Sequence, residues 1–285
     1  MRISKFIKER QKLALENGKE EAATILLIEH VLGVNPSELF LKMDEEMDPK
    51  LMEKFDNLYS DYLYKNKPIQ YLIGYSNFYG YDFIVNEDVL IPRYETEELV
   101  ENILYRYDEH FKGQKVNVCD LATGSGNIAI TLALEEANMN VTATDISAKA
   151  LDVAKKNAEK LGAKVNFIEG DMLVPVQGMK FDIFVSNPPY IPNEELVDPL
   201  VKDNEPNIAL FGGSDGMKFY DIILRGVAPL LKEKAIIAFE HGFDKKNEMI
   251  GLANKYFPNS KVEVLKDLEG KDRMTFIYVG DFKWF

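Results

Sequence analysis

Apolar residues recur along this chain with two different periods, and the change of period divides it. Up to residue 65 the spacing is helical. Ile3, Phe6 and Ile7, continued by Leu13 and Leu15, predict a first helix, and Ala22 through Val31 predict a second that stops at Leu32 and Gly33. Pro36-Ser37 and Pro49 mark new starts, and Leu51, Phe55, Leu58, Tyr59 and Leu63 carry a last long helix. Residues 66–94 are dense in aromatic side chains, turn at Gly74 and Gly80, and alternate briefly after Gly80, which predicts a β-hairpin serving as a connector. A helix restarts over 95–107 with Leu99, Ile103 and Leu104 facing inward.

From Lys115 onward strands and helices alternate. VNVCDL, VTATDI, VNFIEGD and FDIFVSNPPYI read as strands, with NIAITLALEEA and AKALDVAKKNAEKLG as intervening helices. FYDIILRGVAPLL and KKNEMIGLANKYF are helices on either side of the strand AIIAFEHG, and KVEVLKDL and MTFIYVG close the chain as strands with no helix between them. Such alternation requires a mostly parallel sheet covered on both faces, and the last pair predicts an antiparallel hairpin at its edge. The expected organisation is a helical domain over 1–65, a hairpin and linker over 66–94, and an α/β domain over 95–285.

Composition narrows the function. Against 34 Lys and Arg stand 47 Asp and Glu, a formal charge of −13, which argues against nucleic-acid binding through a broad basic surface. The first 19 residues run the other way, with Arg2, Lys5, Lys8, Arg10, Lys12 and Lys19 against Glu9 and Glu16, a local basic face for solvent or a partner. Cys119 stands alone, so no internal disulfide or cysteine cluster forms, which fits a reducing compartment. With no signal-type apolar segment and no span long enough for a bilayer, a cytoplasmic protein with no membrane partner is expected. His30, His110 and His241 lack metal-ligand spacing, His110 being expected near an exposed helix end, and no metal is expected.

Candidate chemistry sits at consecutive strand ends. Residues 120–126, DLATGSG, place Gly124 and Gly126 where a strand turns into a helix, a spacing that is neither GxGxxG nor a phosphate loop. Asp145 follows Gly126 by nineteen residues at the next strand end, where a carboxylate can accept from two ribose hydroxyls, and Asp171, one strand on, can accept from an adenine amino group. A loop opening with Asp120 suits a cationic ligand that lacks a pyrophosphate, and S-adenosylmethionine is such a ligand, although NAD remains open on these residues alone.

Residues 187–190, Asn-Pro-Pro-Tyr, end the strand FDIFVS. Two prolines forbid its continuation and hold Asn187 extended. The Asn187 side-chain carbonyl and the Pro188 backbone carbonyl can accept the two protons of a planar NH2 group, with Tyr190 covering its face. That is what a poor nitrogen nucleophile requires, because acceptors on its hydrogens raise electron density at nitrogen and fixed dipoles favour the positive charge that develops as a methyl arrives. Adenine-N6, cytosine-N4 and glutamine-N5 methyl transfer would all accept this element.

The motifs together resemble the HemK/PrmC family of peptide chain release factor glutamine-N5 methyltransferases. Besides NPPYI, the chain carries VLIPRYETEELV at 89–100, DLATGSGNIAI at 120–130, FEHGF at 239–243 and KDLEGKDRM at 266–274, in the family order. The resemblance implies a Rossmann-like class I methyltransferase fold with a mostly parallel seven-stranded sheet and an antiparallel edge strand, preceded by a small helical domain that docks the substrate. It implies S-adenosylmethionine as cofactor and class 1 release factors as partner, methylated at the glutamine of the GGQ loop, with no stable nucleic-acid partner and a monomer as the expected state. Asn187 and Pro188 would receive the glutamine amide, Tyr190 would line its slot and Pro189 would keep it rigid. Asp120, Ala122, Thr123, Gly124 and Gly126 would cradle the methionine part of the cofactor, with Asp145 at the ribose, Asp171 near the adenine and Asn187 also touching the cofactor, while Arg93 and Glu97 would shape the closed site. Ala122 stands where the family often has glycine, and Lys245 and Lys246 stand where a glutamine is frequent. Glutamine methylation of ribosomal protein uL3 is the alternative within this chemistry. A nucleic-acid amino-methyltransferase and a silent cofactor-binding adapter are the alternatives outside it.

Overall fold

Capping residues set the helix limits of the amino-terminal part. In the computed structural model, which describes residues 1–283, α1 (Ile3–Glu16), α2 (Ala22–Leu32), α3 (Pro36–Lys42), α4 (Pro49–Tyr64) and the short α5 (Ile69–Ile73) follow one another. Helix α2 stops where Gly33 takes a left-handed φ of 65°. Helix α3 opens with a reciprocal cap, in which the Asn35 side chain accepts from Glu38 N at 2.9 Å and the Glu38 carboxylate accepts from Asn35 N at 3.0 Å. Phe6, Leu27, Ile28, Phe55 and Tyr59 form the core of the bundle. Leu15, expected inside, is 59% exposed, and the wholly buried Ala14 takes its place, because seven residues from Ile7 complete two turns at 14 and not at 15.

Contacts divide the chain into two compact units. The first joins Met1–Tyr75 to Val197–Asn204, and the second comprises Ser76–Leu196 and the chain from Glu205 onward. The division therefore falls within the stretch 66–94: α5 belongs to the first unit and nearly all of the hairpin to the second.

The second unit begins at Ser76, within β1 (Tyr75–Phe78), which pairs with β2 (Tyr81–Ile84) through Tyr79 and Gly80 at φ 53° and 80°, the two-residue turn whose twist matches a hairpin. Then come α6 (Tyr94–His110), β3 (Val116–Leu121), α7 (Asn127–Glu135), β4 (Met139–Asp145), α8 (Ala148–Leu161), β5 (Val165–Glu169) and β6 (Phe181–Ser186). After α9 (Pro199–Lys202), which lies in the first unit, follow α10 (Lys218–Gly226), β7 (Leu231–Glu240), α11 (Lys246–Tyr256), β8 (Lys261–Lys266) and β9 (Asp272–Val279).

Seven strands form one sheet in the order β5-β4-β3-β6-β7-β9-β8, with β3 to β7 parallel. The terminal hairpin lies at the edge as expected. Within it β9 is the antiparallel member and sits one strand in, because it returns to pair with β7 while β8 pairs only with β9. Strand β6 is buried throughout and β3 nearly so, between one layer containing Leu99, Ile103, Ile128 and Ile130 and another containing Leu121, Phe184, Tyr220 and Phe239. His110, expected near an exposed helix end, is only 8% exposed and meets Tyr278 and Phe282 edge-on, because the terminal hairpin and the chain after it cover it. Strand order runs outward from β3 through β4 to β5 and then restarts at β6 on the opposite side. The crevice at the carboxyl ends of β3 and β6 is thus the switch point at which open α/β sheets take ligands. Among the described residues no single helix is long and apolar enough to cross a membrane.

Candidate active site at the sheet switch point

The loop after β3 is held from both sides. Thr123 N donates to Thr144 O at 3.0 Å, and the fully buried Asn157 of α8 donates to Ser125 O at 2.9 Å and to Ile84 O at 3.0 Å. Its glycines do different work. A Cβ on Gly124, at φ 56°, would meet open space, whereas one on Gly126 would come within 2.8 Å of Ile130 Cδ1 and 3.1 Å of Ala154 Cβ. Gly126 therefore lets α7 pack close to α8, and Gly124 leaves the loop open to a ligand. Ala122 takes a left-handed φ of 58°, the conformation that the more usual glycine would adopt without strain.

A cavity of about 310 Å³ opens beside this loop. Ala122, Gly124, Asp145, Asp171, Asn187 and Pro189, all expected from the sequence, line it, joined by Val89 and Leu90 of the linker and by Lys218 and Phe219 of α10. Asp145 Oδ2 accepts from Gly124 N and Oδ1 from Ser147 N, both at 2.9 Å, so the carboxylate is fixed while lone pairs remain for hydroxyls. Burial pushes its pKa up, and those backbone N–H groups pull it back.

The other expected residues stand outside the cavity wall. Asp120 is fully buried, and its Oδ2 accepts from the Thr123 hydroxyl at 2.5 Å. Oδ1 has no hydrogen-bond partner among the described residues. Burial raises this carboxyl to about 7, opposed by Thr123 and the Ala129 N–H and reinforced by Asp145. Gly126 serves packing as described, and Pro188 is buried. Arg93 is engaged by Glu205, a buried carboxylate that also accepts from Ile91 N at 3.1 Å, so this pair closes the linker onto the chain after α9. Glu97 is half-buried on α6 and absent from the cavity wall. Tyr190 packs on the apolar layer under α10, with its hydroxyl 3.5 Å from Glu240 Oε1, and burial together with Glu240 pushes its ionisation far up.

Two residues not singled out by the sequence complete the site. Asn187 Nδ2 donates to Thr96 Oγ1 at 3.1 Å, and Thr96 Oγ1 donates to Glu240 Oε2 at 2.6 Å. Thr96 and Glu240 are 2% and 1% exposed. Burial raises the Glu240 carboxyl to about 7, while Thr96, Arg273 and Asn187 draw it down and Glu95 adds to the rise. Strand pairing makes this meeting possible. Ser186 of β6 is in register with Phe239 of β7, which brings the next residues, Asn187 and Glu240, side by side, and Ser186 Oγ ties β6 to β3 through Leu121 O at 2.7 Å. With its nitrogen committed to Thr96, Asn187 has its carbonyl oxygen left for the cavity.

Comparison with known proteins fits this geometry. The chain is 44% identical over 283 residues to the release factor glutamine methyltransferase of Bacillus cereus, covering 97% of this chain and 99% of that one. It belongs to the release factor glutamine methyltransferase family. The family expected from the motifs is the one found. Its Staphylococcus aureus member is 33% identical over 276 residues, 95% of each chain. A PrmC N-terminal domain model matches residues 8–74, and a methyltransferase small domain model matches 99–204. In fold, the chain is similar to a methyltransferase from Pyrococcus furiosus, with a TM-score of 0.53 at 17% identity over 80% of this chain and 98% of that one.

Proposed function

We infer that this chain transfers a methyl group from S-adenosylmethionine to the side-chain amide nitrogen of the GGQ glutamine of class 1 peptide chain release factors. Family membership supports the reaction, and the Asn187 carbonyl, left to the cavity because the side-chain NH2 donates its hydrogen bond to Thr96, is the observation that carries the chemistry. The cavity suits this cofactor. Asp145 is fixed for ribose hydroxyls, Asp171 stands on the same wall, and the unpartnered Oδ1 of Asp120 is a buried acceptor suited to an ammonium group, reached through water. The cofactor supplies an electrophilic methyl on a sulfonium.

The chain's own residues then make the amide reactive. Asn187 and the Pro188 carbonyl accept the two amide protons, orient the nitrogen lone pair, and favour positive charge on nitrogen in the transition state. Pro188 and Pro189 keep those acceptors from relaxing away. Tyr190 stays a neutral phenol beside Glu240 and supports the slot from below. The product nitrogen loses its proton to solvent once methylated, when it is far more acidic, so no strong base is required. Release factors work in the cytoplasm, and we assign the protein there, as a monomer whose helical unit docks the partner.

The test is labelled-methyl transfer to purified release factor, ribosomal protein uL3, DNA and RNA, with mass spectrometry of the products. A mass increase of one CH2 on the GGQ glutamine is expected. An unmodified release factor alongside methylated uL3 or nucleic acid would overturn the reading. Asn187→Ala should abolish turnover and leave cofactor binding within about threefold, since it removes an interaction made with the acceptor amide.

A further inference from the structure

We propose that Glu240 and Thr96 form a polarity relay that fixes which end of the Asn187 amide meets the substrate. The proposal rests on the amide-methylation reading and deepens it. A side-chain amide has a carbonyl at one end and an NH2 at the other, nearly equal in shape and opposite in hydrogen-bonding sense. Only the carbonyl can hold a substrate NH2. A rotation of half a turn about the last bond would present a donor and repel it.

The donors and acceptors around Asn187 remove that ambiguity. Glu240, when ionised, can only accept. The single Thr96 proton is given to Glu240 Oε2 at 2.6 Å, which leaves Thr96 Oγ1 with lone pairs alone toward Asn187. Asn187 must then answer with its NH2, as it does at 3.1 Å, and the nearby amide helps to draw the Glu240 pKa down. The flipped amide would set a carbonyl against a hydroxyl oxygen and a carboxylate with no proton between them. Neither Thr96 nor Glu240 lines the cavity, so both are positioning residues acting through Asn187. The relay gives a purpose to two motifs whose roles the sequence left open, the ETEEL run opening α6 and the FEHGF run closing β7.

Protonation of Glu240 would reverse the sense of the chain. A carboxylic acid donates to Thr96, and Thr96 can then donate to the Asn187 carbonyl and turn the amide over. The groups facing Glu240 are Arg273 of β9, Glu95 and Thr96 of α6, Asn187 and Tyr190 after β6, and Tyr220 of α10, whose hydroxyl donates to the Glu240 backbone oxygen at 2.7 Å. Burial holds the carboxyl near 7, so the relay is set above that pH and reversed below it.

Steady-state methylation of purified release factor tests this with the full chain, and the wild-type reaction is the control that separates it from the functional reading. No wild-type methylation of release factor overturns both. Given an active wild type, Thr96→Val should lower kcat on the order of 10–100-fold, the effect of losing one decisive buried hydrogen bond, with cofactor affinity within about twofold. Thr96→Ser, which keeps the hydroxyl, should restore most of kcat. Wild-type kcat should fall as pH drops through about 7, and Glu240→Gln should flatten that limb. Thr96→Val with wild-type kcat, Thr96→Ser as impaired as Thr96→Val, or Glu240→Gln with the wild-type kcat limb intact would each overturn the relay.

Discussion

Replacing Asp120 by Asn should stabilise the cofactor-free protein at alkaline pH and weaken its hold on the cofactor. The Asp120 carboxyl has no exposed surface, one oxygen bonded to Thr123 and the other unpartnered among the described residues. In the folded chain it keeps its proton up to about 7, whereas the unfolded chain releases it near the ordinary 3.8. Between those values the folded state binds the extra proton, so stability is full below the lower value and declines as pH rises to the upper one. Each tenfold step in acidity is worth about 1.4 kcal/mol, so ionising Asp120 costs the fold on the order of 4 kcal/mol by neutral pH. The Asp120→Asn variant has no charge to bury at this position, and its own offset, an amide nitrogen in place of Oδ1, does not vary with pH. Thermal unfolding of both proteins without cofactor, at about pH 5.5 and about pH 8.5, isolates the effect, and the advantage of the variant should grow between them by about 2 kcal/mol. For a unit of this size that is a relative gain in Tm of roughly 4–8 °C. Calorimetric titration should meanwhile show S-adenosylmethionine binding weakened about tenfold or more, through loss of the charge that answers its ammonium group. Parallel stability curves for the two proteins, or undiminished cofactor affinity, would refute the placement of this charge.

Three further outcomes follow from the loops. Ala122→Gly should raise Tm slightly, because relief of a left-handed alanine, about 1 kcal/mol, exceeds the added freedom of glycine in the unfolded chain; a lowered Tm would contradict it. Gly126→Ala should destabilise by about 1–3 kcal/mol in denaturant melts, since its Cβ would meet Ile130 Cδ1 at 2.8 Å, and an unchanged midpoint would show that α7 can shift freely. Residues 191–206, with five acids and three prolines, end at Pro206 on the cavity wall and should gain protection from hydrogen exchange when release factor binds; unchanged exchange there would count against a contact between this segment and the partner.

The parts of the fold that follow from local chemistry were legible in the chain, and the parts that follow from distant pairing were less so. Period and punctuation sufficed for the helices of the bundle and for the alternation after Lys115, because a proline, a capping asparagine or a left-handed glycine acts on its immediate neighbours. Leu15 failed for a local reason: a single residue's slip on a helix turns a side chain by about 100°. His110 failed for a distant one, since its burial depends on Tyr278 and Phe282, which return from the far end of the chain. The exact seat of β9 belongs to the same class. Two strands without a helix between them demand a hairpin, but which of them meets β7 is decided by pairing and not by either segment's own pattern.

The site divides along the same line. Asp145, Asp171 and Asn187 were visible because a parallel sheet sends its carboxyl-terminal residues to one rim, so position in sequence stands for position in space. Asp120 sits one residue before the end of β3, and that offset is enough to put its carboxylate inside the structure and not on the cavity wall. Arg93 lies in the linker, where its charge is answered by Glu205, 112 residues away. Thr96 and Glu240 are 144 residues apart, and neither has a spacing that points to the other. Each is still an unusual choice where it stands: a hydroxyl on the inward face of α6, and a carboxylate at the buried end of a central strand. A buried acid of that kind costs stability, so its presence there points to a function that needs its charge. Here the need is set by its neighbour across the strand ends, because an amide that must only accept can be held in that sense only by a partner that must only accept as well, with one hydroxyl passing the polarity between them.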